Sequence, residues 1–453
     1  MKKLINISLV LLCTLSLSSC GLYSKFETPE LDEKAQELYN YLEANQDTTT
    51  IASMPWKSFF TDPALQELIS DALANNTDMN LAKLSVDQAE IALKTARLAY
   101  VPSFNLNSSL GYSSSSDYSY AASVSASWEI DFFGKIRNAK KVQQAAVEQS
   151  KVYKEAVQTQ LIATMANSYY SLLVLDEQLK ISIKTKENWL TNLEVMRALM
   201  KAGRLDESSV LQSEASAVAL NSQIATLEQQ IIEMENTISL LLAKPLGKIK
   251  RGELSNVTFS DNLAVGVPLQ LLSNRADVKV AEYNLSQAFY ATALAKSSLY
   301  PNITLSGSAG YSGGGVTLSS PGDMIYSAVL SLVQPLFNSG SLRAQVKISK
   351  SQQEGAMLSF KQTVLDAGSE VNTALNQLQT AKKLVSYDKE QIALLSKAVT
   401  STELLMKHGS VTYLDVLTKQ LSLLQAELSL TSDIYSEIQG SVNMYRALGG
   451  GAR

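Results

Sequence analysis

Residues 99–112 read AYVPSFNLNSSLGY, and after Pro102 apolar and polar residues take turns. Phe104, Leu106, Leu110 and Tyr112 fall on one face, while Ser103, Asn105, Asn107 and Ser109 fall on the other. A period of two is that of a β-strand with one apolar and one polar side. The returning segment sets Val124, Ala126, Trp128 and Ile130 against Ser123, Ser125, Ser127 and Glu129. Two further segments repeat the pattern: Ile303, Leu305 and Tyr311 oppose Asn302, Thr304, Ser306 and Ser308, and Tyr326, Ala328, Leu330 and Leu332 share a side, although Val329 and Val333 interrupt the polar one. About ten alternating residues, tilted, cross a bilayer, and their backbone is satisfied there only if the sheet closes. An antiparallel sheet of a soluble domain, wet on one face, has the same alternation. The Ser/Gly-rich connections SSSSDYSY and SGGGVTLSSPGD, and the aromatic residues bracketing the strands, favour the membrane. Four strands are too few to close alone, since the smallest such barrels have about eight. Several chains must then share one barrel.

The strand segments belong to a longer internal repetition. AYVPSFNLNSSLGY at 99–112 answers LYPNITLSGSAGY at 299–311, with Pro102 matching Pro301 and Gly111 matching Gly310. WEIDFFGKIRNAK from Trp128 answers LVQPLFNSGSLRAQ from Leu332, pairing Phe133 with Phe337. LMKAGRLDESSVL at 199–211 answers LMKHGSVTYLDVL at 405–417. Two copies of about two hundred residues therefore compose most of the chain.

Between these landmarks the chain predicts long helices. None of the nine prolines falls between Pro102 and Pro245 or after Pro335, and both spaces are rich in Ala, Gln, Leu, Glu and Lys. Residues 136 to about 200 suffice for roughly 95 Å if continuous. Leu220, Ile224, Leu227, Ile231, Met234, Ile238 and Leu241, and again Leu414, Leu417, Leu421, Leu424 and Leu428, alternate steps of three and four, the seam of a coiled coil. On those heptads alone a rod or plain helical bundle is a better reading than a channel.

The N-terminal MKKLINISLVLLCTLSLSSC has Lys2 and Lys3, a short apolar run and small residues ending at Cys20, an export signal too short to span. Leu17-Ser18-Ser19-Cys20 is similar to a lipobox, which predicts a lipid on Cys20; an ordinary cleaved signal is the alternative. By analogy with bacterial lipoproteins, in which an aspartate at this position favours inner-membrane retention, Gly21 implies outer-membrane sorting. Cys13 and Cys20 are the only cysteines, so the mature body offers no disulfide and no thiolate site. The single histidine, His408, has no histidine partner, and no phosphate loop, dinucleotide fingerprint or Gly-x-Ser-x-Gly elbow occurs. No enzyme, no metal and no cofactor beyond the covalent lipid are expected. A net charge of −4 offers nothing to a nucleic acid.

These residues resemble the TolC-type outer-membrane efflux channels, in particular the lipoprotein branch paired with resistance-nodulation-division pumps. The resemblance runs from about Trp56 to the end. It rests on WKSFFTDPALQELISDALANNTDMNLA, WEIDFFGKIRN, LLSNRADVKVAEYNLSQAFY with LYPNITLSG, LVQPLFNSGSL, KHGSVTYLDVLTKQLSLLQAE and the closing YRALGGG. Ala276 stands where the family usually has proline. The resemblance implies an α+β membrane protein: a homotrimer whose protomers give four strands each to one twelve-stranded transmembrane barrel, continued by a long periplasmic α-helical barrel. A small mixed equatorial region is expected near residues 21–60, 245–267 and the C-terminus. The expected divisions are a signal at 1–19, a lipidated segment at 20–62, a first efflux repeat at 63–248, a linker at 249–267, a second repeat at 268–448 and a tail at 449–453.

By the same resemblance the two LMK phrases are periplasmic tips, turning at Gly203 and Gly409, which also serve to dock a periplasmic adaptor. Asp415 matches an acidic gate position, with Thr418 where a second acid often stands. Thr412-Tyr413-Leu414-Asp415 equally fits a helix capping box, and both roles stay open. Tyr413 and Arg204 are candidate latches of a closed tip, and Glu129 and Asp131 candidate acidic lining of the lumen. The expected partners are outer-membrane lipid, an adaptor and an inner-membrane pump of a Gram-negative cell. A coiled-coil lipoprotein scaffold without a pore and a type I protein-secretion duct are the competing functions.

Overall fold

The computed structural model describes residues 23–29, 54–113, 117–257, 275–315, 323–408 and 410–451. Its described helices are α1 (Trp56–Phe59), α2 (Pro63–Asn75), α3 (Thr77–Leu98), α4 (Lys135–Lys201), α5 (Glu207–Leu241), α6 (Ala276–Ser297), α7 (Ser341–Lys407) and α8 (Tyr413–Ala447), with strands β1 (Ser103–Ser113), β2 (Asp117–Ile130), β3 (Asn302–Gly315) and β4 (Asp323–Val333). The lengths come in pairs: α4 and α7 have 67 residues each, α5 and α8 have 35, and α3 and α6 have 22. Among the described residues no helix is long and apolar enough to cross a membrane. The predicted signal and Cys20 lie outside the described residues, as do Gly409 and residues 258–274.

One compact unit comprises the described parts of 1–31, 83–153 and 277–363, and holds all four strands. They form one antiparallel sheet in the order β1-β2-β3-β4. Its register lines up Leu106, Val124, Ala309 and Tyr326 in one row and Asn105, Ser125, Ser308 and Ser327 in the next. The alternation read from sequence therefore becomes an apolar and a polar face. Asn107 donates to Ser125 Oγ at 3.1 Å and the Ser308 and Ser327 hydroxyls lie 2.9 Å apart on the polar side. On the apolar side Leu106 is 78% and Tyr326 81% exposed, an exposure that water does not favour over so wide a patch. At the foot of β2, Phe133 stacks on Tyr300 with ring centroids 4.9 Å apart.

The stretch Tyr23–Pro29 belongs to this unit rather than to an equatorial belt. Tyr23 donates its hydroxyl to the Phe132 carbonyl (2.6 Å), Phe26 meets Phe289 edge-on at 5.8 Å, and Thr28 bonds Glu282. Aromatic contacts, invisible in a heptad or strand count, fix its place.

The other unit comprises the described parts of 32–82, 154–276 and 364–453. Arg251 joins Asp176 and Glu235, drawing residues 249–252 onto α4 and α5. Glu370 on α7 receives both Arg275 and Arg446, and Arg275 also donates to the Ala447 carbonyl that ends α8. Tyr445 stacks on Phe59 at 4.3 Å and donates to the Met54 carbonyl at 2.9 Å. The closing glycines follow from that packing, because a Cβ on Gly450 would stand 2.4 Å from the Tyr445 ring. Residues 54–59 are thus drawn onto the end of α8, and residues 249–252 onto α4 and α5.

The predicted coiled-coil seam is only half buried. Leu220, Leu227, Ile231 and Ile238, and Leu417 and Leu424, are buried, whereas Leu414 and Leu421 are exposed. A helix with one partner hides both seam positions. Here the apolar stripe is shared between a contact inside this chain and a face left open.

Candidate functional site: two helical tips

Each tip is a helix stop closed by its own backbone. At the end of α4 the Gly203 N–H donates to Met200 O and the Arg204 N–H to Leu199 O, both at 2.9 Å, with Gly203 at φ 71°. That is the paired closure made around a left-handed residue, where glycine avoids the Cβ clash. Nothing lies within 4 Å of a Cβ built on Gly203, so its backbone, not crowding, demands glycine. The second tip repeats the six-residue closure, with Ser410 N–H donating to Leu405 O at 3.0 Å.

The ascending helices start from different caps. Asp206 accepts from the Ser209 N–H (2.8 Å) and the Ser208 and Ser209 hydroxyls (2.6 and 3.0 Å). Those donors, the Ser208 hydroxyl first, lower its pKa to about 2. In the second tip Asp415 accepts from the Thr412 hydroxyl (2.6 Å) and the Thr412 N–H (2.9 Å), the capping-box arrangement. Hydrogen bonds from Thr412 hold its carboxyl below the usual range, so it is an anion at neutral pH. It is fully solvated, and its cap uses one carboxylate oxygen of two.

Tyr413 differs from the other sequence candidates. It is 4% exposed and packs with Trp189, Leu193 and Met196 of α4, Val210, Ala217 and Leu220 of α5, and Leu417 and Leu424 of α8. The second tip is thereby clamped to the first hairpin. Its hydroxyl is buried without a hydrogen-bond partner, and burial, then the charge of Glu403, raises its pKa above the normal tyrosine value. Arg204 is exposed and makes no ion pair among the described residues. The structure brings Asp415 and Tyr413 into one helical turn.

Two features escaped the sequence. Trp189 donates its indole N–H to the Ser213 carbonyl and hydroxyl at 3.1 and 3.0 Å, locking α4 to α5 inside the core. Arg197, about two turns nearer the tip along α4, pairs with Glu214 at 2.7 Å. A Trp and a Ser at nonadjacent positions carry no local signal of their pairing.

Glu129 and Asp131 stand at the junction of β2 and α4. Lys135 pairs with Glu129 at 2.8 Å, and Asp131 accepts from the Ile136 and Arg137 N–H groups at 3.0 and 2.7 Å, capping α4. A cavity of about 1170 Å³ is bounded by α4, α7, α8 and residues 254–257. Its lining mixes Lys180, Lys184 and Lys389 with Glu403, Glu427 and Glu437. Among the described residues no cluster of three or more acidic, His or Cys side chains is arranged for a metal.

The profile of the outer membrane efflux protein family matches residues 68–244 and again 267–450. The pyoverdine export outer membrane protein OpmQ of Pseudomonas putida is 30% identical over 417 residues, covering 87% of this chain and 88% of its own. A probable outer membrane lipoprotein of Salmonella typhimurium, SilC, is 27% identical over 410 residues, covering 87% and 88%. The open-state MtrE outer membrane channel of Neisseria gonorrhoeae superposes with a TM-score of 0.84 at 24% identity, covering 95% of this chain and 98% of that one.

Proposed function

Because this chain belongs to the outer membrane efflux protein family, we propose that three copies of it close one barrel and wall one periplasmic tunnel, a passive exit duct fed by an inner-membrane pump. It is an efflux protein of the outer membrane and not an enzyme. The observation that carries the proposal is the sheet. Four strands with an exposed apolar face leave the outer edges of β1 and β4 unpaired in this chain, and a lipid-exposed edge costs several kcal/mol per unmet backbone group. Closure by further copies removes both edges.

The proposed repeat says where the copies touch. Phe133, 9% exposed, is covered by Tyr300 of the second half, whereas its counterpart Phe337 is 88% exposed. In a ring of repeats Phe337 packs on the Tyr100–Val101 corner of the next copy. Leu414 and Leu421 have the same logic along the helices.

At the tips, Asp415 is the proposed gate charge, three carboxylates about one axis favouring cations, with its free oxygen available beyond the cap. Arg204 is the exposed cation that can pair with a neighbouring tip. Tyr413 sets the tip position from within the core. Gly203 and Gly409 shape the turns offered to a periplasmic adaptor. Glu129 and Asp131, compensated by Lys135 and by α4 amides, add little to the lumen beside Asp415. Cys20 bears the lipid, and a resistance-nodulation-division pump is the proposed energy source. The divisions 63–248 and 268–448 are the proposed repeats. Purified protein in planar bilayers tests the whole: discrete conductance from a three-copy species supports it, and a non-conducting monomer rejects it.

A further inference from the structure

The strand-bearing unit is electrically lopsided. The register brings the end of β1, the start of β2, the end of β3 and the start of β4 together at one end of the sheet, and α3, α4, α6 and α7 follow or precede the strands at the other. Within about ten residues of the helix-side strand ends the sequence places Lys94, Arg97, Lys135, Arg137, Lys140, Lys296 and Arg343, against two acids, Glu129, which pairs with Lys135, and Asp131. The connections at the opposite end contain no lysine or arginine, and Asp117 and Asp323 begin the strands beside them. A belt of cations at one edge of a membrane span is the pattern that meets anionic lipid headgroups.

The belt has a formed site in it. Lys25, Arg137 and Lys141 line one cavity of about 180 Å³, with Ser24, Asn138 and Tyr290, room for roughly six waters. Its walls are fixed. The Arg137 guanidinium lies 4.9 Å from the Tyr23 ring centroid, and the Tyr290 hydroxyl accepts the Phe26 N–H. The nearby acid is already used, since Asp131 caps α4 through the Ile136 and Arg137 amides, and among the described residues only Lys135 of the belt is ion-paired. Three cations converge on a space that holds no carboxylate. Arginine grips a phosphate through two parallel donors and lysine as a point charge. Lys25 also follows Cys20 by only five positions, so the site lies close along the chain to the proposed lipid attachment.

We propose that Lys25, Arg137 and Lys141 hold the phosphodiester of an anionic phospholipid, with the other belt cations facing the same headgroup layer. This rests on the reading that the sheet spans the membrane with its helix side toward the periplasm.

The test is native mass spectrometry of the full-length trimer from neutral detergent, with phosphatidylglycerol or phosphatidylcholine of matched chains added. Phosphatidylglycerol should be retained about a hundredfold better, at about fivefold for each of the three cations, and Lys25→Gln/Lys141→Gln should lose about twenty-fivefold of that preference. Arg137→Lys, which keeps the charge but not the fork, should lose part of it, and Lys201→Gln at the far end of α4 none. Equal retention of the two lipids, or full preference in the double variant, overturns the proposal. So does displacement of the lipid by an equal concentration of glycerol phosphate, which would mark a free-anion site. The same samples go into planar bilayers: a sample that conducts without lipid preference defeats this inference alone, whereas one that does not conduct defeats the membrane reading beneath it.

Discussion

Phe337→Ala is the substitution whose cost depends most on the copies touching. In a single chain the side chain is 88% exposed and its loss should cost that chain almost nothing. In a closed ring it is buried three times, once at each junction. At about 2 kcal/mol per buried phenylalanine, three junctions amount to about 6 kcal/mol, or roughly four decades in the trimer's dissociation constant. Light scattering coupled to gel filtration across a dilution series reads that change directly. Phe133→Ala serves as the contrast. Its ring is covered inside the chain by Tyr300, so it should lower the stability of each copy by about 3 kcal/mol or more without a comparable shift in assembly. A Phe337→Ala trimer that survives dilution as well as the parent would refute the proposed junction.

Asp415→Ala should raise single-channel conductance and weaken cation preference in planar bilayers, and unchanged values of both would leave Asp415 as a helix cap only. Tyr413→Phe deletes a buried hydroxyl that has no partner and should stabilise the protein by about 1 kcal/mol, while Tyr413→Ala empties the tip core and should give leaky channels; thermal melts and conductance check the pair. The depressed pKa of Asp206 makes its cap a source of stability that is fully present above about pH 4 and lost as pH falls through about 2. The exchange protection factor of the Ser209 amide should therefore fall only below about pH 3, and Asp206→Ala should abolish that pH dependence. Asp433 has its pKa raised by burial and by its hydrogen bond to Asp388, so its charge destabilises as pH rises, and Asp433→Asn should raise the melting temperature at pH 7 by one or two degrees.

The strands were legible because three of them keep a two-residue alternation over most of their length and the fourth keeps its apolar side while Val329 and Val333 interrupt the polar one, and the pairing Leu106 with Val124 with Ala309 simply continues it. The long helices were legible because proline is absent for over a hundred residues on either side of the middle. The seam was read too generously: periodicity reports that Leu414 and Leu417 are apolar, not which partner each will meet. Long-range pairings such as Trp189 with Ser213, or Glu370 with Arg275 and Arg446, left no trace, because an indole, a hydroxyl or a lone arginine has many lawful partners and only the fold selects one. At the tips the Schellman glycine and the capping box were readable as local motifs, whereas the burial of Tyr413 was not, since a tyrosine after a cap is as often exposed.

Cross-linking between the sheet edges tests the shared barrel most directly. Leu110 pairs with Tyr120 as Ala309 pairs with Tyr326, which aligns the two halves. Val124, four residues beyond Tyr120, faces Ala309, so Leu330, four beyond Tyr326, should face Leu110 of the next copy. The variant carrying Leu110→Cys and Leu330→Cys, oxidised in intact outer membranes, should run as a ladder ending in a closed three-copy ring, with neither single variant doing so. A chain that stays monomeric after complete oxidation, or that joins its own two cysteines, would contradict a barrel closed between copies.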